Sequence, residues 1–194
     1  MTTILLAAGL SSRMGQNKLL LPYRGMTVIE NTLLSVLPLS RRVIVVTGHE
    51  REKIENLLKD YPVDFVYNSE YEKGQRGSTL KGIEAVGDDD FAVLPSDLPL
   101  LDRNDTAALF SAIGKASIVR PTFKAVPGHP VCYRKDNRRK LLHHDGTMKE
   151  YLKKEGFIAI PSSIGCVYDV DTPSRYDALS VFNGNLSVLE RYID

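Results

Sequence analysis

The segment Thr3 to Ala8 reads TILLAA, a short, continuous apolar run halted by Gly9. A run of that length suits a strand covered on both faces, which places it inside a layered sheet rather than at a surface. Val43 to Thr47, Val63 to Tyr67, Phe91 to Leu94 and Ser117 to Arg120 repeat the type. Between them lie segments of helical character. Thr27-Val28-Ile29-Glu30 has the spacing of a capping box, and Val28, Leu33, Leu34 and Leu37 continue that helix to Pro38. Ile54, Leu57 and Leu58 mark a helix within Glu50 to Asp60, Ser78 to Val86 reads as another, and Asp102 caps Arg103 to Ile113. Parallel strands need crossover connections, so this alternation predicts an α/β fold: three layers, with a doubly wound, mostly parallel sheet.

The second half alternates less regularly. Lys124 to Pro130 is a Pro/Gly loop, Val131 to Tyr133 a short apolar piece and Thr147 to Glu155 a helix. Phe157 to Ile160 and Val167 to Val170 read as late strands, and a helix follows from Pro173, a residue favoured at the first helical position. No repeat or linker breaks the chain, so residues 1–194 are expected to form one domain.

Composition removes several functions. Lys and Arg number 25 against 24 Asp and Glu, a net charge of +1, which supplies no field for tracking nucleic acid or an anionic membrane. No run approaches the length of a spanning helix, and the N-terminus has no secretory pattern, so a cytoplasmic protein is expected. Cys132 and Cys166 sit among apolar or small neighbours and read as buried, reduced thiols. The four histidines have no metal-binding spacing.

In doubly wound sheets ligands bind beyond the carboxyl ends of the strands, which directs attention to four loops: Gly9 to Leu21, Gly74 to Ser78, Pro95 to Leu101 and Val170 to Pro173. The first carries glycines, small hydroxyl residues and two cations directly after a buried strand. Small residues let backbone N–H groups close on a phosphate chain, and Arg13 and Lys18 can neutralise it; the same composition also suits a mobile surface loop. Neither G-x-x-x-x-G-K-[ST] nor G-x-G-x-x-G occurs there, which disfavours a nicotinamide-dependent oxidoreductase. By residue type alone Asp97 is either a turn cap or a ligand, and Asp171 either a helix-terminal residue or a ligand.

The string LAAGLSSRMGQNKLLLP resembles the signature of the nucleotidyltransferases that activate phosphorylated substrates with a nucleoside triphosphate, and is most similar to the molybdenum-cofactor cytidylyltransferases among them. Four more segments match in order: Gly74 to Gly82 (GQRGSTLKG), Asp97 to Leu101 (DLPLL), Gly128 to Val131 (GHPV) and Asp169 to Pro173 (DVDTP). The resemblance covers Ile4 to about Asp177. It implies that Gly9, Ser11 and Arg13 cradle the triphosphate and that Lys18, with Arg13, carries the catalytic charge. Leu6, Ala7, Ala8, Gln75 and Ser78 would contact the nucleotide, and Asp97 and Asp171 would hold Mg²⁺. Asp169 is read as structural.

The implied reaction uses CTP to transfer CMP to the phosphate of a molybdopterin, releasing pyrophosphate, with a molybdenum hydroxylase as the downstream partner. Ala8 favours a pyrimidine, since related chains using GTP tend to carry glycine there. Two departures matter: Ser96 stands where the family has glycine, so its side chain is expected to alter the approach of ligand to backbone, and Lys149 stands near an arginine position on the acceptor side. Transfer to a sugar or polyol phosphate, and a non-catalytic accessory role in cofactor delivery, are the alternatives. Asn185 to Asp194 has no counterpart in the family pattern.

Overall fold

A computed structural model describes residues 1–193. Strand β1 (Thr2–Ala7) leads through a loop and a 3-10 turn (Lys18–Leu20) to a hairpin of β2 (Pro22–Tyr23) and β3 (Met26–Thr27), then to α1 (Val28–Val36). Then come β4 (Arg42–Thr47), α2 (Arg51–Leu58), β5 (Asp64–Tyr67), α3 (Gln75–Ala85), β6 (Phe91–Pro95) and α4 (Arg103–Ala112). The second half contains β7 (Ile118–Phe123), β8 (Val126–Pro127), β9 (Val131–Tyr133), α5 (Asp136–Leu142), α6 (Met148–Glu155), β10 (Ile158–Pro161), α7 (Pro173–Ser180) and α8 (Ser187–Glu190).

The main sheet has the order β10-β7-β9-β6-β1-β4-β5, with β8 pairing to β7. β6, β1, β4 and β5 are mutually parallel, as are β7 and β10, while β9 runs antiparallel to both its neighbours. The sheet is therefore mostly parallel, as the alternation predicts. Its central strands bury alternate residues into opposite layers. Leu5, Val43 and Val45 meet Ile29 and Leu33 of α1 and Ile54 and Leu58 of α2. Ile4, Ile44 and Val46 meet Ile83 of α3, Leu141 of α5 and Tyr151 of α6. Each such fully buried aliphatic side chain contributes about 1.5–3 kcal/mol relative to exposure, so pattern and packing reinforce each other. Gly82 lets α3 approach the sheet, because a Cβ there would overlap Ile4.

The predicted capping box forms: the Thr27 side chain accepts from the Glu30 N–H, and Glu30 accepts from the Thr27 N–H at 2.8 Å. Three expectations are corrected, and one helix was missed. The helix assigned to Ser78–Val86 begins at Gln75, one turn early, behind an uncapped Gly74. The strand assigned to Ser117–Arg120 runs on through Pro121 to Phe123, where it pairs with β10 and β8. Val167–Val170 is no strand: it alternates like one but has no neighbouring strand to pair with. α5 was not anticipated, since its sequence DNRRKLL buries only Asn137 and Leu141 and shows no apolar stripe.

Of the tail, residues 185–193 include α8, whose Leu189 packs with Leu179 of α7 and with Tyr168 and Val170; Asp194 lies outside the described residues. Both cysteines are free and buried. Among the described residues no helix is long and apolar enough to cross a membrane.

Candidate active site

Strands β4 and β6 flank β1 on opposite sides, so the chain leaves β1 toward one side and later returns to the other. Above that reversal, at the carboxyl ends of β1 and β6, lies a cleft of about 750 Å³, a volume suited to a nucleotide-sized ligand. Leu6, Ala8, Gly9, Ser11, Arg13, Lys18, Gln75, Ser78, Asp97 and Asp171 all line it. Of the residues singled out from the sequence as nucleotide contacts, Ala7 is the exception: its side chain is buried in the core with Leu5 and Leu19.

The first loop turns at Ser11, which adopts a left-handed conformation with φ of 53°. The Ser11 Oγ then accepts from the Lys18 backbone N–H at 3.3 Å, closing the loop on itself. Asn17 caps the following 3-10 turn through the Leu19 N–H, and Leu19 is anchored in the core. The turn thereby holds Lys18 with its side chain in the cleft.

The Lys18 ammonium forms ion pairs with both Asp97 and Asp171. Arg13 Nη2 donates to Asp171 Oδ2 at 2.6 Å, and Arg175 pairs with Asp169. Burial works against the Lys18 ammonium, but Asp97 and Asp171 outweigh it and hold its pKa above the ordinary lysine value. Burial also opposes the Asp171 carboxylate, yet Lys18 and Arg13 keep it below the ordinary aspartate value. Lys18 is thus a cation and Asp171 an anion throughout the neutral range.

Asp97, Asp169 and Asp171 each offer an oxygen within 4.8 Å of the others, and Asp97 Oδ1 is buried without a hydrogen-bond partner. Hard oxygen donors in that number suit a divalent cation that keeps part of its shell for phosphate oxygens. The backbone explains the grouping. In the segment 168–171 the side chains alternate, Tyr168 and Val170 buried in the core while Asp169 and Asp171 line the cleft. The Val170 N–H donates to the Asp97 carbonyl at 3.0 Å, fixing the two acidic segments side by side. The structural reading of Asp169 is therefore incomplete: it pairs with Arg175 and also completes the acid group. The D-x-D alternation was the available signal.

Ser96 lines the cleft beside Asp97. Its N–H and its hydroxyl both donate to the Leu6 carbonyl, at 3.1 and 2.8 Å, so the side chain staples the end of β6 to β1. Ser78 is no helix cap; it sits inside the first turn of α3 and its Oγ accepts from Asn68 at 2.9 Å. Ala8 is packed tightly from behind: a Cβ on Gly48 would lie 2.8 Å from the Ala8 Cβ and 2.6 Å from that of Tyr71. His129, from the G-H-P-V segment, lines the cleft as a neutral imidazole, its pKa lowered to about 4 by burial and by Arg120. Lys149 is not among the cleft-lining residues. A second concavity, of about 420 Å³, adjoins the cleft at Arg13, Asp169 and Asp171 and is walled further by Arg175 and Tyr192.

Residues 3–156 match the family described as MobA-like NTP transferase domain. The molybdenum cofactor cytidylyltransferase of Escherichia coli (strain K12) is 25% identical over 177 residues, covering 89% of this chain and 92% of that protein. The bifunctional protein GlmU of Francisella philomiragia is 33% identical over 144 residues; these cover 65% of this chain but only 32% of that protein. Among solved structures, a nucleotidyl transferase from Methanothermobacter thermautotroptrophicus superposes with a TM-score of 0.79 at 25% identity, over 92% of this chain and 95% of that one.

Proposed function

The chain belongs to the MobA-like NTP transferase domain family, and from that premise we propose that it transfers CMP from CTP to a phosphorylated acceptor of the molybdopterin type, with release of pyrophosphate. The observation that carries the chemistry is the convergence of Lys18 and Arg13 with three aspartates beside a glycine- and serine-lined loop. Nucleotidyl transfer needs alignment and charge neutralisation more than a protein nucleophile, and this collection supplies both.

In this reading the loop from Gly9 to Arg13 receives the triphosphate, while Leu6, Ala8, Gln75 and Ser78 receive the nucleoside. Lys18 and Arg13 stabilise the charge that grows on the α- and β-phosphates. Asp97 and Asp171, joined by Asp169, would hold Mg²⁺, which when bound supplies further neutralisation of the phosphate oxygens. An oxygen of the acceptor phosphate attacks the α-phosphorus, the bond to the bridging oxygen of the β-phosphate breaks, and pyrophosphate leaves with that electron pair. The second concavity, which shares Arg13, Asp169 and Asp171 with the cleft, suits the incoming acceptor and gives residues beyond 156 a part in the same domain.

The preference for CTP rests on Ala8, whose methyl narrows the space a purine would need, and on the similarity to a cytidylyltransferase. Pyrophosphate release, measured across four nucleoside triphosphates with molybdopterin, sugar phosphates and polyol phosphates, tests the proposal. Turnover with CTP and molybdopterin is expected. Release with a sugar phosphate alone would reassign the acceptor, and binding without any release would replace the enzyme by a carrier of cofactor.

A further inference from the structure

We infer that Lys18 is the resident cation of the acid group: without nucleotide its ammonium holds the place of a divalent ion, and an arriving triphosphate draws it away so that the ion can enter. The inference rests on the metal role proposed for these acids and adds an order to the assembly of the site.

The charges in this corner are closed. Asp97 is paired with Lys18, Asp171 with Lys18 and Arg13, and Asp169 with Arg175, so three carboxylates face three side-chain cations. The three cations differ in position. Arg13 is 69% exposed and touches one acid from outside, whereas Lys18 is 16% exposed and bridges two. The oxygens that Lys18 engages, Asp97 Oδ2 and Asp171 Oδ1, belong to the carboxylates that would ligate a metal. A divalent ion and an ammonium cannot share them without strong mutual repulsion. A second observation points to an ion as the fuller occupant: Asp97 Oδ1 is buried with no partner, an acceptor that Lys18 leaves unserved.

Departure of the ammonium is also mechanically simple. The Lys18 backbone is fixed by Ser11 and by the Asn17-capped turn, so a swing of its four-carbon stem moves the charge without moving the loop. The triphosphate binds on that same loop and offers Lys18 and Arg13 a more highly charged partner than either carboxylate. Asp97 and Asp171 are then bare anions facing phosphate oxygens. By reciprocity, whatever the nucleotide contributes to metal affinity the metal returns to nucleotide affinity.

Mn²⁺ binding to the nucleotide-free chain, followed by electron paramagnetic resonance, tests this without any turnover. Lys18→Met should bind one Mn²⁺ per chain at least about tenfold more tightly than the unmodified protein, within the usual range of site couplings. Arg13→Met should give a clearly smaller gain, and Asp97→Asn added to Lys18→Met should abolish the gain. Equal affinity in the unmodified chain and Lys18→Met would overturn the inference, as would equal gains in Lys18→Met and Arg13→Met, which would reduce the effect to net charge.

A measurement on the unmodified chain guards against a misfolded variant: saturating Mn²⁺ should raise acylation of Lys18 by an amine-specific reagent, read by mass spectrometry. Mn²⁺ bound one to one with Lys18 still protected would mean that ion and ammonium coexist, and would overturn the inference as well. The pyrophosphate assay is separate, so a chain that turns over CTP but fails these tests loses only the displacement step.

Discussion

One wall of the cleft, from Arg13 and Lys18 to Asp97 and Asp171, is held by charges, while another, from Ala8 to Tyr71 and Ser78, is backed by Gly48 and held by packing and by the hydrogen bond from Asn68 to Ser78. The charged wall can exchange partners: a phosphate oxygen can replace a carboxylate against Lys18 with little movement of backbone. The packed wall has no such freedom, because even one added carbon at Gly48 would overlap the Cβ atoms of Ala8 and Tyr71. Under the proposed function, chemistry falls where partners can be exchanged and discrimination where they cannot. Substitutions that change charge should therefore act on rate, and substitutions that change volume on stability and choice of base.

The sharpest way to break this contrast is Asp97→Ala. It should lower kcat by about a thousandfold, the upper range for removing one preorganised electrostatic group, while circular dichroism stays native. A near-normal rate at saturating Mg²⁺ would move the metal elsewhere. Lys18→Ala should lower kcat by about a hundredfold with a smaller change in KM for CTP, since the charge it meets grows in the transition state. A raised KM with unchanged kcat would make it a ground-state contact.

On the packed wall, Gly48→Ala should cost about 1–3 kcal/mol by overpacking, read as a lowered denaturation midpoint. An unchanged midpoint would show that Tyr71 yields easily and that this wall is softer than its contacts suggest. Ala8→Gly should shift the CTP-to-GTP ratio of kcat/KM toward GTP by about tenfold, the scale of one methyl in a pocket. If the unmodified protein uses both equally, the packed wall selects nothing.

The smallest effect concerns acid. Asp171 titrates below its ordinary 3.8 in the folded chain, so its contribution to stability is present above that value and lost as pH falls through the folded pKa. Lys18 is raised above 10.5, so its contribution is complete at lower pH and lost only in strong alkali. The denaturation midpoint should be flat from about pH 5 to 9 with respect to this pair, and Asp171→Asn should soften the acid limb. An acid limb identical in the two proteins would sever Asp171 from stability.

The two halves of the chain were not equally legible. β1 and β4 could be read from the sequence because burial on both faces leaves an unbroken apolar run. The glycine- and serine-rich first loop, Lys18, Asp97 and Asp171 were singled out by the resemblance of five ordered segments to one family, since residue type alone left each of them open, and the fold brings them to one cleft. α5 could not be read, because its inward residue at one position is Asn137. That side chain is satisfied by the Ser117 carbonyl and by Tyr151, and apolar periodicity cannot register a polar residue buried with partners. The segment 167–170 misled for the opposite reason: alternation reports which way side chains point, and pairing depends on a neighbour that the segment lacks. For Ser96 the sequence showed only a side chain in place of glycine, because residue identity does not disclose that its hydroxyl turns back to Leu6.

The acid group is drawn from two segments separated along the chain by α4 through β10, and its cation comes from the first loop. An unfolded chain has nothing equivalent to offer a ligand. Whatever occupies this corner therefore acts as a ballast on the folding equilibrium: at a concentration one hundred times its dissociation constant it adds about 2.7 kcal/mol to the native state. The melting temperature of the protein becomes a gauge of occupancy, readable for each nucleotide and ion before any acceptor has been identified.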